Sequence, residues 1–203
     1  MKKNQFSHGK LLLWWVVYFI LYTLTEKLIP YDACYLIHSP LDDRIPFCEW
    51  FAVFYVGWYF LVIGSLLWFL FHNVNLFQRL QTYIILVQLM ATLVYILYPS
   101  RQELRPVSFP RENLLTELMK FLYRIDTPTG VFPSLHVAIS AGIASTWLRE
   151  KSTSPWLRGG ITAFCFMVVL SVCFVKQHSV LDILGAIPIC LVTQWLIFTE
   201  ITN

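Results

Sequence analysis

Six apolar stretches recur along this chain, each nearly free of charge and each close to the roughly 20 residues that carry a helix across a bilayer. They run over about 11–29, 51–71, 82–98, 131–147, 161–175 and 183–201. In hydrocarbon every backbone N–H and C=O must find its partner inside the segment, so runs of this length are expected to fold as helices. Composition points the same way: 57% of residues are hydrophobic and 13% charged, too few charges to cover a soluble surface. That balance excludes disordered, collagenous and ordinary cytosolic classes. Six spans in 203 residues leave little beyond loops and tails, so the expectation is one integral membrane domain over 1–203, an all-α polytopic six-transmembrane-helix bundle. A net charge of +3 is too small to argue for nucleic acid as a partner. The expected partners are the bilayer and a membrane lipid.

Lys2, Lys3 and Lys10 precede the first run, a pattern shared by secretory signals. No small-x-small cleavage site follows at Thr23–Lys27, so a retained anchor is expected. With these lysines inside, Arg79, Arg149, Lys151 and Arg158 also fall inside, as positive-inside topology expects. Simple counting favours the other side, since eight of the 15 Lys/Arg then lie outside, but most of those sit in one long loop where function can hold them. Whatever the orientation, six spans put the third connection (99–130) and the fifth (176–182) on one face.

Inside the third connection, Leu114, Leu115, Leu118, Leu122 and Ile125 recur at helical spacing, with Glu117, Lys120 and Arg124 flanking them. This predicts an interfacial helix with its apolar face down, or a helix packed on the spans as a lid. Asp126–Gly130 breaks it. Cys165, Cys173 and Cys190 read as apolar packers. Cys34 and Cys48 share the first loop and can pair if it faces an oxidising space. No Cys-x-x-Cys spacing points to a metal.

Ionisable residues beside a span are costly and need a reason. His136 lies one turn into the fourth run; His178 and Asp182 stand at the entrance to the sixth. The spacing predicts His178 and Asp182 on one helical face, with the carboxylate orienting the imidazole as base or nucleophile. His136, on the same side of the bundle, can supply a second imidazole to protonate a leaving group. Arg101, Arg105 and Lys176 are nearby cations suited to a phosphate. Each also has a plainer reading: interfacial charges for the cations, a helix cap for Ser134, a helix start for Pro133.

Phe132-Pro133-Ser134-Leu135-His136, then His178-x-x-x-Asp182, and upstream Arg105-Pro106 resemble the three signature motifs of the type 2 phosphatidic acid phosphatase superfamily. The resemblance covers about 101–185, and Leu41–Phe47 adds a weaker likeness to a bacterial branch. It implies a six-helix membrane enzyme acting on lipid phosphates with no metal and no cofactor. His178 would attack phosphorus to give a phosphohistidine, Asp182 would orient it, and His136 would protonate the leaving alkoxide and later activate water. Arg105 and Ser134 would hold the phosphate. The chain departs from the pattern at Tyr98 and Val172, where the family carries Lys and Arg, and Leu135 stands where Gly is frequent. Lys176 and Arg101 are the expected substitutes. This leaner pattern is similar to the sphingomyelin and inositol phosphorylceramide synthase branches.

The leading expectation is a lipid phosphate phosphatase of a bacterial plasma membrane, with cytoplasmic termini and an extracytoplasmic site. Its substrate would be phosphatidic acid, phosphatidylglycerol phosphate or a polyprenyl pyrophosphate. The alternatives are a head-group phosphotransferase using the same triad and a non-catalytic transporter or scaffold.

Overall fold

The computed structural model describes residues 7–199, and its apolar runs fold as helices. A 3-10 segment, Ser7–Leu13, leads into α1 (Trp14–Leu28); α2 (Pro40–Arg44) lies in the first loop. Then come α3 (Ala52–His72), α4 (Val74–Leu97), α5 (Leu114–Ile125), α6 (Leu135–Arg149), α7 (Pro155–Phe174) and α8 (Val180–Phe198). Two two-residue strands, β1 (Tyr35–Leu36) and β2 (Ser100–Arg101), pair in parallel and fasten the first loop to the start of the third connection.

Among the described residues, five segments are long and apolar enough to cross a membrane: His8–Leu28, Glu49–His72, Val74–Leu97, Pro155–Phe174 and Val180–Phe198. The fourth expected run yields only α6, 15 residues long, which spans about 22 Å at 1.5 Å per residue. Its place explains its composition. It runs through the middle of the bundle against α3, α4, α7 and α8, and Ala138, Ser140, Gly142 and Thr146 are buried. Small residues let helix backbones approach closely, and at Gly142 a Cβ would overlap the Tyr83 ring of α4. The outer helices are apolar on the surface instead: Val16, Ile20, Phe60, Ile63, Leu191 and Trp195 are all exposed. A surface this apolar fits lipid better than water.

Element boundaries differ from the sequence expectation. The connection expected over 72–81 shrinks to Asn73, whose side chain caps α4 by accepting from Leu76 N–H. The polar residues that suggested a loop are helical and satisfied. Arg79 donates to Asn75 Oδ1 and to the Ile197 carbonyl, and Gln81 bonds Trp15 Nε1 and the Leu11 carbonyl. Ser154 caps α7 with Pro155 in its first turn, so the helix starts six residues before 161 and absorbs Arg158. α8 starts three residues before 183 and α6 four after 131. Lys2, Lys3 and Ile201 lie outside the described residues. All five cysteines are free thiols.

α5 docks by Thr116 and Met119, both fully buried, while Leu114, Phe121 and Ile125 remain exposed. The expected leucine stripe is therefore split: the helix sits on the bundle as a lid and keeps an outward apolar edge.

The two ends of the bundle are tied separately. At one end Asn73 Nδ2 donates to Glu150 Oε2 at 2.8 Å, joining the α3–α4 and α6–α7 turns. At the other the third and fifth connections meet. Tyr123 Oη donates to the Val175 carbonyl, and the Ser134 amide to the Asp182 carbonyl.

Candidate active site

The α7–α8 turn sets the geometry. Lys176 takes a left-handed backbone (φ 53°), and the Gln177 and His178 amides both donate to the Val172 carbonyl. α8 then begins at the N-cap Ser179, so His178 stands just ahead of the helix rather than on its face as expected. The expected contact forms by another route. Asp182 is the third helical residue of a capping box, and its Oδ2 accepts both the Ser179 amide and His178 Nδ1, each at 3.0 Å. His178 Nδ1 also lies 3.1 Å from the Val131 carbonyl. Both neighbours of Nδ1 are acceptors, which places the proton on Nδ1 and leaves the Nε2 lone pair free.

His136, the second residue of α6, presents its ring 5.8 Å from that of His178. It is packed by Tyr55, stacked at 4.4 Å, and by Trp58 at 4.2 Å. His136 Nε2 and Ser134 Oγ are buried with no hydrogen-bond partner among the described residues. Ser134 occupies the N-cap position of α6, yet its side chain makes no cap bond. The segment carrying it is fixed from α4 and β2: Tyr95 Oη donates to the Pro133 carbonyl and the Phe132 amide to Ser100 Oγ.

The two histidines close one end of a cavity of about 490 Å³ between α1, α3 and α6. Its walls are largely aromatic and aliphatic, with Tyr18, Tyr22, Tyr59 and Leu66 among them, and Gln88 also lines it. Asp126, Gly130, Val131 and Gln177 complete the end near His178.

The expected cations are placed differently. Arg105 arrives behind the wall, where its guanidinium bonds Gln177 Oε1 and the carbonyls of Tyr123, Asp126 and Thr127. Arg101 pairs with Glu103, bonds the Cys34 carbonyl at 3.2 Å and lies over the Tyr31 ring. Lys176 Nζ donates to the Asp42 carbonyl at 2.6 Å. Neither Arg101 nor Lys176 lines the cavity. Nor do the two positions of departure supply a substitute: Tyr98 stacks on Tyr35 at 4.7 Å, and Val172 is fully buried.

Three residues not singled out in the sequence also shape the site. Buried Asp42 receives Ser179 Oγ (2.5 Å) on Oδ2 and the Val180 amide (2.8 Å) on Oδ1, so the first loop clamps the start of α8. Gln177 links Arg105 to Asp126, donating to Asp126 Oδ2 at 3.2 Å. Asp126, which the sequence marked only as a helix breaker, presents a carboxyl that burial pushes above the usual carboxylate range, against the pull of Arg105. Gln177 and Asp126 each adjoin a residue that the sequence did single out or a helix end, but nothing local distinguishes Asp42 from Asp43. Among the described residues no cluster of His, Cys, Asp and Glu could hold a metal.

No family model, curated protein or solved structure matches this chain.

Proposed function

We propose that this chain is a six-span membrane enzyme of the type 2 phosphatidic acid phosphatase superfamily that hydrolyses a lipid phosphate through a phosphohistidine. In this reading α6 also crosses, as the fourth of six spans, shortened because protein encloses it. The membrane is a bacterial plasma membrane with the histidine end of the bundle extracytoplasmic. The observation that carries the reading is the pair of imidazoles at the end of an apolar cavity: His178, Nδ1 held by Asp182 and Nε2 free, opposite His136.

The chemistry follows from those atoms. His178 Nε2 attacks phosphorus as the bond from phosphorus to the lipid oxygen breaks, and the leaving alkoxide takes a proton from His136 Nε2. Asp182 stabilises the cationic ring that results. A water then attacks phosphorus, gives its proton to His136, and phosphate departs as the Nε2–phosphorus bond breaks. His136 Nε2, on a residue of the cavity wall and buried without a partner, is a group that a bound phosphoryl would satisfy; Ser134 Oγ is also unpartnered, but Ser134 does not line the cavity. Leaving such a group unpaired costs about 1–3 kcal/mol.

Head-group phosphotransfer is the second reading, in which a lipid hydroxyl replaces water. It is favoured by the absence of Lys and Arg from the cavity wall, since a phosphodiester carries less charge than a phosphomonoester.

The test is turnover by purified protein in detergent across phosphatidic acid, phosphatidylglycerol phosphate, polyprenyl pyrophosphate and phosphodiester lipids, with and without an alcohol. Phosphate release that vanishes in His178→Ala supports hydrolysis; head-group exchange without phosphate release supports transfer. No turnover of any of them by folded protein sinks both.

A further inference from the structure

Arg101, Arg105 and Lys176 are all committed to other partners, and the cavity wall carries neither Lys nor Arg. What the wall does carry is unpaired donors. Among the described residues, three that line the cavity hold a buried side-chain nitrogen with no hydrogen-bond partner: His136 Nε2, Trp58 Nε1 and Gln88 Nε2. An indole N–H and an amide NH2 can only donate. Trp58 lies against His136, ring centres 4.2 Å apart, so it stands at the histidine end. Gln88 is on α4, and its Oε1 already accepts Trp14 Nε1 at 2.7 Å, which leaves Nε2 as the uncommitted end of the amide. Its height follows from the contact of α4 with α6. Gly142 lies against the Tyr83 ring, and from there His136 stands roughly 9 Å back along α6 and Gln88 roughly 7.5 Å on along α4, both toward the same end. The three residues therefore sit at about one level of the cavity.

A phosphoryl group attacked by His178 presents negatively charged oxygens that no cation on the wall meets. A Lys or Arg buried in an apolar cavity at membrane depth is costly, whereas neutral N–H donors avoid that cost and gain strength where water is excluded. Buried polar groups are normally paired, so two donors left unpaired on one wall point to a ligand with acceptors. We infer that Trp58 Nε1 and Gln88 Nε2 donate to the non-bridging phosphoryl oxygens, a neutral anion hole in place of cations. This rests on the reading of His178 as the site of phosphoryl chemistry and adds two residues that touch the phosphoryl group. His136 is then left to serve the leaving oxygen.

The experiment measures calorimetric binding of orthovanadate, a phosphate analogue that takes a further ligand from a histidine, to the purified full chain in non-ionic detergent, alongside lipid phosphate turnover. Wild type is expected to bind it and His178→Ala to lose it. Trp58→Phe keeps a ring against His136 and Gln88→Met keeps the side-chain length, but each removes a donor. Each should weaken orthovanadate binding about tenfold and lower kcat by about 10²–10³-fold, the loss typical of one oxyanion donor. Trp14→Phe breaks the bond to Gln88 Oε1, leaves both donors in place and should behave as wild type. Thermal unfolding reports folding, and if Trp58→Phe does not fold, Gln88→Met decides. A variant that slows turnover with orthovanadate binding unchanged assigns its residue to packing alone, and the inference is overturned if both variants do so or match wild type. It is also overturned for Gln88 if Trp14→Phe weakens binding as far as Gln88→Met. In either case an inactive His178→Ala leaves the lipid phosphate reading standing. If wild type neither binds orthovanadate nor turns over a lipid phosphate, both fall.

Discussion

At the scale of the residue, the proposed chemistry rests on one ring. His178 has two acceptors on Nδ1 and none to spare for Nε2, so its tautomer follows from its neighbours. Asp182→Asn replaces one acceptor with a group that can turn a donor toward the ring, and should lower kcat by roughly 10²–10⁴-fold with little change in KM. Steady-state kinetics checks this, and a KM effect alone would remove Asp182 from the mechanism. Asp42 acts one step further out. It holds Ser179 and the first turn of α8, which in turn present Asp182. Asp42→Asn should cost about tenfold in kcat and shift the acid limb of the pH–rate profile, while Asp42→Ala should cost more. An unchanged pH profile in a slower Asp42→Asn enzyme would reduce Asp42 to a structural role. His136, His178 and Asp182 were legible in the sequence because ionisable groups beside apolar runs stand out. The partners of Lys176 and Arg101 were not: Lys176 meets Asp42, 134 positions away, and no spacing rule reports such a contact.

At the scale of the element, length and composition showed where helices lie but not where they stop. Asn73 supplies both a cap and a one-residue break, so polar residues after it continue as helix. The same side chain donates to Glu150, buried at the end of α6. Burial raises the Glu150 carboxyl, but hydrogen bonds from Ser152 and Asn73 outweigh it and hold it below the usual range. A depressed folded-state value stabilises the fold above the unfolded value, about 4.3, and that contribution is lost as pH falls through the lower folded one. Thermal unfolding in detergent from pH 3 to 6 should therefore show an acid limb that flattens in Glu150→Gln. A limb of equal steepness would place the acid sensitivity elsewhere. Packing gives a second check on the central helix. At Gly142 any side chain would push into Tyr83, so Gly142→Val should destabilise by about 1–3 kcal/mol. The exposed Phe121→Ala in α5 should leave unfolding nearly unchanged.

For the whole molecule, the question is whether a short, small-residue helix crosses the membrane. The two tied ends of the bundle make it testable. Val107, fully exposed in the third connection, lies with the histidines; Lys151, exposed in the α6–α7 turn, lies with Asn73 and Glu150. If α6 crosses, these two positions face opposite compartments, although 15 residues of helix are all that pass between them. The native thiols are poor reporters, since Cys34 is buried and Cys48 half-buried. Val107→Cys and Lys151→Cys should each be tested with an impermeant thiol reagent on intact cells. Labelling of position 107 before lysis and of 151 only after it is the expected result. The reverse pattern keeps six crossings but turns the site toward the cytoplasm. Labelling of both from one side removes α6 as a crossing and with it the six-span reading. Arg79, Arg149, Lys151 and Arg158 gather in short flanks at the Asn73 end, and the first outcome would make that end cytoplasmic although more of the Lys and Arg lie at the other.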